Sequence, residues 1–347
     1  MTKKRARKIC FDRVLPSELF KARDEQLVSL PNGRMRAISP LRKQWVNGST
    51  LRIRFLSGTT QQQKMVRDIA PEWTKHANLN FEFTEDARAE IRVSFDENEG
   101  AWSYVGTDNS SIPVQAATLN LGWQDEAVIL HEFGHMIGLA HEHQNPQGGL
   151  IWNEEVVIRD LSGPPNYWDE ATVRHNVLEK YSADQIHGTR FDPASIMLYA
   201  FPDDWTQNPG GTQENSKLSQ MDKDFVRSAQ MYPGRGTTTP EPQAVEVPIM
   251  RGTAGSIARA GEEDLFAFQV DRAGRYLIET TGSADLFMTL FGPNSMTQKL
   301  AEDDDSGADT NPQISTSLQP GRYYARVRHY NPSQTGSYEI RVISLGR

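Results

Sequence analysis

The stretch Ile129 to Glu142 constrains this chain more than any other, because it spaces His131, Glu132, His135, Gly138 and His141 as HExxHxxGxxH. If the run is helical, His131 and His135 stand one turn apart on one face. Two neutral imidazoles so placed can share a metal ion, and zinc suits nitrogen ligands of this kind. Glu132 is not a ligand in this arrangement and is placed to take a proton from a metal-bound water. Gly138 permits the left-handed backbone that ends a helix, so the chain can turn back and present His141 as the third ligand. Three protein ligands leave one position for water, the open kind of site rather than the closed one. HExxH alone arises by chance in about one chain in a hundred, and the fixed offsets of Gly138 and His141 make the longer pattern far rarer. The plain alternative is an amphipathic core helix whose histidines bond to their neighbours.

Downstream lies Ser195-Ile196-Met197-Leu198-Tyr199. Together the two stretches resemble the metzincin metallopeptidases, and among them the astacin group, over about Trp45 to Tyr232. The resemblance implies an α+β catalytic domain with a mixed sheet, a zinc helix and a Met-turn. It implies an endopeptidase acting on proteins or peptides, with one Zn²⁺ per chain on His131, His135 and His141. Glu132 would be the general base and Met197 an apolar floor under the metal. Tyr199 would donate a hydrogen bond to the oxyanion; a phenol that only packs beneath the site is its other reading. Glu142, directly after the third histidine, would pair with the mature N-terminus. Ala116 to Leu121 resembles the sheet-edge strand of a metzincin cleft, so Ala117, Thr118, Leu119 and Asn120 are expected to meet substrate; an ordinary inner strand is the alternative. The absence of cysteine from this domain, and the run His143 to Gly149, fit a bacterial astacin-like enzyme better than an animal one.

At 347 residues the chain has room for about two domains, and 37% hydrophobic with 24% charged residues describes a globular protein. A net charge of -8 argues against nucleic acid as the main partner, and no apolar run is long enough to span a membrane. A monomer is expected. The single cysteine, Cys10, excludes an intramolecular disulfide framework. Residues 1–37 read as a charged arm, either loosely docked or a latency segment over the cleft. Basic neighbours favour the Cys10 thiolate, which could hold the zinc as a latency switch; a thiol without a role is the alternative. The basic start of the chain lacks the apolar region of a secretory signal.

Residues 38–233 are expected to form the peptidase domain. Leu51, Ile53 and Phe55 alternate as a strand, and Thr60 to His76 reads as a helix capped by Thr59 or Thr60. Asn78 to Phe83 and Glu90 to Phe95 read as further strands, Asn98 to Asp108 as a loop, and Asp125 as the cap of a zinc helix running to about Leu139. Short helices are expected at Asn153 to Arg159, Tyr167 to Glu179 and Asp222 to Met231. Trp152, Tyr167 and Trp168 could line a pocket or belong to the core. His143 reads as a cleft wall before a spare ligand, while His76, His175, His187 and His329 carry no motif.

Residues 234–244 have linker composition, so few contacts are expected across them. Residues 245–347 read as an all-β sandwich from strands at Asp264 to Val270, Gly274 to Thr280, Leu286 to Phe291, Arg322 to His329 and Ser337 to Ile343. Ala273-Gly274-Arg275-Tyr276, Ala284-Asp285-Leu286 and Gly336-Ser337-Tyr338 are similar to the bacterial pre-peptidase C-terminal domain. That resemblance implies a secreted protein; a cytoplasmic one is the alternative. Glu302 to Asp305 is an acidic run, a solvated loop or a Ca²⁺ site. A second function class is a catalytically silent metzincin fold that binds a matrix polymer through its sandwich, against which the intact Glu132 argues.

Overall fold

A computed structural model describes residues 11–13, 43–146, 148–163, 167–180, 191–207, 211–228, 231–234, 244–331 and 333–346. Cys10, most of the N-terminal arm, His187 and most of the linker lie outside the described residues. In the first half a six-stranded sheet is built from β1 (Phe11–Arg13), β2 (Thr50–Phe55), β3 (Asn80–Phe83), β4 (Ile91–Ser94), β5 (Ala101–Tyr104) and β6 (Leu119–Leu121). Its order is β1-β5-β6-β4-β2-β3. All pairings are parallel except β5 with β6. Along β2, Leu51, Ile53 and Phe55 point inward and the polar residues between them outward, as strand periodicity requires.

Helix α1 (Thr60–Ile69) starts at a capping box in which Thr59 and Gln62 satisfy each other's backbone amides. The helix expected to reach His76 stops at Ile69, and a tighter turn covers Ala70–Lys75. Pro71 is the cause, since it has no N–H to continue the ladder. That turn buries Trp73, whose Nε1 donates to Leu130 O at 2.8 Å and ties it to the next helix. Helix α2 (Glu126–Met136) is capped by Asp125, which accepts from the Val128 amide, and packs on β5 and β6. Then come α3 (Glu154–Ser162), α4 (Glu170–Val173) and α5 (Gln220–Val226).

Two expectations fail here. Asn98 to Asp108 is not all loop but contains β5, whose four residues are all buried and so show no alternation. Leu119–Leu121 is not an edge strand, because β5 and β4 flank it on both sides. β3 ends the sheet on one side; on the other, beyond β6, lies β5, whose outer partner is the short β1 of the N-terminal arm.

The second half is a sandwich whose described strands are β7 (Val245–Glu246), β8 (Gly252–Ile257), β9 (Glu263–Val270), β10 (Gly274–Gly282), β11 (Leu286–Phe291), β12 (Lys299–Asp303), β13 (Gln313–Leu318), β14 (Gly321–His329) and β15 (Gly336–Gly346). They form sheets β13-β10-β15-β8 and β12-β11-β14-β9-β7. Four of these, β7, β8, β12 and β13, escape the sequence reading, because Gly, Ser, Thr or charged residues replace the apolar alternation.

Contacts do cross between the halves. Phe287 and Phe291 of β11 face away from the sandwich core yet are almost fully buried, as are Arg326 and Arg328 of β14. Arg326 Nη1 donates to Gln44 O at 2.7 Å, Thr297 Oγ1 to Glu90 Oε1 at 2.8 Å, and Ser110 Oγ to Thr297 O at 2.9 Å.

Candidate metal centre

Helix α2 places His131 and His135 a turn apart, with Glu132 beside them, all buried. The helix ends after Met136, and Gly138 takes φ of 104°, the left-handed conformation that sends the chain back. His141 then arrives against the same point. His135 Nε2 lies 3.1 Å from His131 Nε2 and 3.0 Å from His141 Nε2. Among the described residues, these three form the one group of His, Cys, Asp or Glu able to hold a metal ion.

The tautomers follow from the backbone. His131 Nδ1 meets Ile196 O at 2.7 Å and His135 Nδ1 meets Leu139 O at 2.9 Å. A carbonyl oxygen only accepts, so each Nδ1 carries the proton and each neutral ring turns the Nε2 lone pair inward. Lone pairs that converge at such distances repel unless a cation lies between them. The donor set therefore fits zinc, with the carbonyls as the outer partners that orient metal-binding histidines.

Met197 lies under the helix. Its Sδ would be 2.4 Å from a Cβ at Gly134, so any larger residue there would have to displace Met197. The turn carrying Met197 is held by Asp222, which accepts from Ser195 Oγ at 2.7 Å and from the Ile196 amide at 2.9 Å. Burial pushes the Asp222 carboxyl above its ordinary value, against the pull of those hydrogen bonds. Sequence reasoning misses Gly134, Asp222 and the carbonyls of Ile196 and Leu139. A glycine inside HExxH is the one signal that could suggest a close approach from below.

The Tyr199 hydroxyl is hydrogen-bonded to His141 Nε2, and its ring lies 5.0 Å from His131. Glu142 is held by the Asp192 amide and by Asn145 Nδ2. Burial raises its carboxyl to about 7, the two hydrogen bonds working the other way and the charges of Asp222 and Asp192 adding to the rise. His143 is buried with Nε2 3.0 Å from Asn176 O, and it lies outside the three-histidine group. Trp152 packs edge-on to Phe201 with Trp168 in the same cluster, whereas Tyr167 is 72% exposed. The acidic run contains no metal cluster among the described residues. Asp303 instead caps a turn, accepting from Ser306 and Gln313, and Glu302 meets Lys299 at 3.5 Å.

A single-metal centre, set on a helix beside a mixed sheet and over a methionine turn, is the arrangement of a metal-dependent peptidase fold. Residues 37–208 match the model of the astacin peptidase family, and residues 262–329 match the bacterial pre-peptidase C-terminal domain. The structure of myroilysin is 35% identical, covers 55% of this chain and 96% of its own, and superposes with a TM-score of 0.53. The zinc metalloproteinase nas-30 of Caenorhabditis elegans is 26% identical over 166 residues, 46% of this chain and 20% of that protein. Tolloid-like protein 1 of Mus musculus is 28% identical over 41% of this chain and 13% of its own length. The chain thus spans a fifth or less of these two longer relatives. It belongs to the astacin family of zinc metalloendopeptidases. No helix among the described residues is long and apolar enough to cross a membrane.

Proposed function

We propose that the chain hydrolyses internal peptide bonds of proteins. The observation that carries this reading is the convergence of the Nε2 atoms of three histidines beside Glu132, which is fully buried. One zinc ion on His131, His135 and His141 would supply a Lewis acid and lower the pKa of a water held there. Glu132 takes the proton of the attacking water and passes it to the leaving amine. The Tyr199 hydroxyl leaves His141 and donates to the developing oxyanion. Met197 keeps the floor apolar. β5, rather than residues 117–120, offers its backbone to an extended substrate.

The N-terminal arm is read as a latency segment. β1 pairs with β5 in register Phe11 with Trp102 to Arg13 with Tyr104, and so covers the edge a substrate would join. Removal of the arm would free that edge and create an amine for Glu142, whose buried surroundings hold the further carboxylates Asp192 and Asp222. Export is read from the pre-peptidase C-terminal match. The silent polymer-binding alternative has no observation behind it, and the presence of Glu132 beside the histidines argues against it.

The test is Glu132→Ala. The variant should keep about one zinc per chain, because Glu132 is not a ligand, and should lose cleavage of casein by the arm-free enzyme. Retention of wild-type cleavage would overturn the reading.

A further inference from the structure

The segment Lys43-Gln44-Trp45 touches both halves of the molecule. Towards the sandwich, Gln44 O accepts from Arg326 Nη1 at 2.7 Å. Arg326 is only 2% exposed, with Glu263 at 3.8 Å and the Phe291 ring at 5.5 Å. Towards the metal centre, Trp45 Nε1 donates to Met136 O at 2.8 Å. The Trp45 amide donates to the Tyr232 hydroxyl at 3.1 Å, which in turn donates to Ile137 O at 2.5 Å. Met136 and Ile137 are the last residue and the C-cap of α2, directly after His135. The last carbonyls of a helix lack partners within it. Here two of them are met by Trp45 and by the Tyr232 hydroxyl that Trp45 holds.

The same segment grips the turn after β5. Lys43 O accepts from the Thr107 amide at 2.8 Å, and the Lys43 ammonium lies 2.7 Å from the Asp108 carboxylate. A short chain of direct bonds therefore runs from a buried guanidinium on the sandwich to the end of the helix that bears two of the three histidines.

We infer that Arg326 is a positioning residue of the metal centre: through Gln44 and Trp45 it fixes the C-terminal end of α2, so the C-terminal sandwich sets how firmly the metal is held. This rests on reading the three histidines as the metal site. Removing a buried donor leaves the backbone carbonyl it served without that partner, and the segment then shifts to find water. Metal affinity responds to such shifts, since outer partners that orient ligands change it on the order of ten- to a hundredfold.

The test uses the full chain and the variants Arg326→Met, Arg326→Lys and Trp45→Phe. Val342→Ala is the control, in the sandwich core away from the segment. Zinc affinity is measured against a competing chelator, and thermal stability by calorimetry. Arg326→Met should weaken zinc binding about tenfold. Trp45→Phe should do the same, and Arg326→Lys should recover part of the loss because it keeps a charged donor. Val342→Ala should lower stability without changing zinc affinity. Wild-type affinity in Arg326→Met, or an equal change in Val342→Ala, overturns the inference. Should Arg326→Met fail to fold, wild-type affinity in both Arg326→Lys and Trp45→Phe overturns it instead. A wild-type chain that holds no zinc sinks the metal reading itself, and does so before any variant is compared.

Discussion

One polar cluster in each half shows the two being handled in opposite ways. Around the acidic run and the neighbouring strands of the sandwich, polar groups pair with one another. Asp303 is engaged by Ser306 and Gln313, Asn311 by Thr280, Gly282 and Ala308, and Tyr338 by Asp264. In the peptidase half the Nε2 atoms of three histidines converge, and the charges of Asp192 and Asp222 bear on Glu142 beside them. Bringing three ring nitrogens together is costly unless something cationic binds, whereas a carboxylate paired with donors needs no ligand. The contrast explains why the acidic run of the sandwich is structure and the histidine run is a site.

The largest expected effect of that contrast is on stability without metal. A ligand at a thousand times its Kd contributes about 4 kcal/mol to the state that binds it. Removing zinc with a chelator should therefore lower the midpoint of the peptidase half by about 10 °C, and that of the sandwich by less. All seven tryptophans lie between Trp45 and Trp205, so tryptophan fluorescence reports the peptidase half alone and calorimetry reports both. Equal shifts in both halves would show that the histidines do not concentrate the strain. The next effect is catalytic. Tyr199→Phe should lower kcat about a hundredfold with little change in KM, the usual loss of one oxyanion donor. An unchanged kcat would reduce Tyr199 to packing against His141.

The same contrast governs what is legible in the sequence. His131, Glu132, His135, Gly138 and His141 can be read because metal chemistry fixes residue type and spacing together. Met197 and Tyr199 are placed by resemblance, since no local pattern links Tyr199 to His141 across 58 positions. The edge strand is misplaced by the sequence reading because β5 is short and buried on both faces. It therefore lacks the period of two on which strand reading depends. The joining of the halves is hidden for a different reason. It runs through Gln44, Thr297 and Arg326, polar residues whose pairing across the chain leaves no local signature.

A smaller effect concerns Gly134. In a helix, alanine is ordinarily better than glycine by about 1 kcal/mol. Here the added methyl would lie 2.4 Å from Met197 Sδ, and overpacking of that kind costs about 1–3 kcal/mol. Gly134→Ala should thus destabilise the peptidase half by about 1 kcal/mol net and weaken zinc binding, measured by urea unfolding followed at the tryptophans. A gain in stability would mean that the Met197 side chain moves aside freely.

The last effect lies in the sandwich, where a paired carboxylate should show in the pH dependence of stability. Tyr338 Oη donates to Asp264 Oδ2 at 2.6 Å. Burial raises the Asp264 carboxyl above its ordinary 3.8, with the Tyr338 bond opposing the rise. An acid raised in the fold keeps its proton longer there than in the unfolded chain. Its contribution to stability is therefore fully present below 3.8 and is lost as pH climbs through the folded value. Tyr338→Phe removes the donor that the ionised carboxylate needs and raises the folded value further. At pH 7 the variant should be less stable by about 1.5–3 kcal/mol, the usual worth of a hydrogen bond to a charged group. Below the ordinary 3.8 the carboxyl is neutral in the fold as well as in the unfolded chain, and the difference should shrink. Calorimetry of the sandwich transition at the two pH values separates this from simple loss of packing, which would cost the same at both.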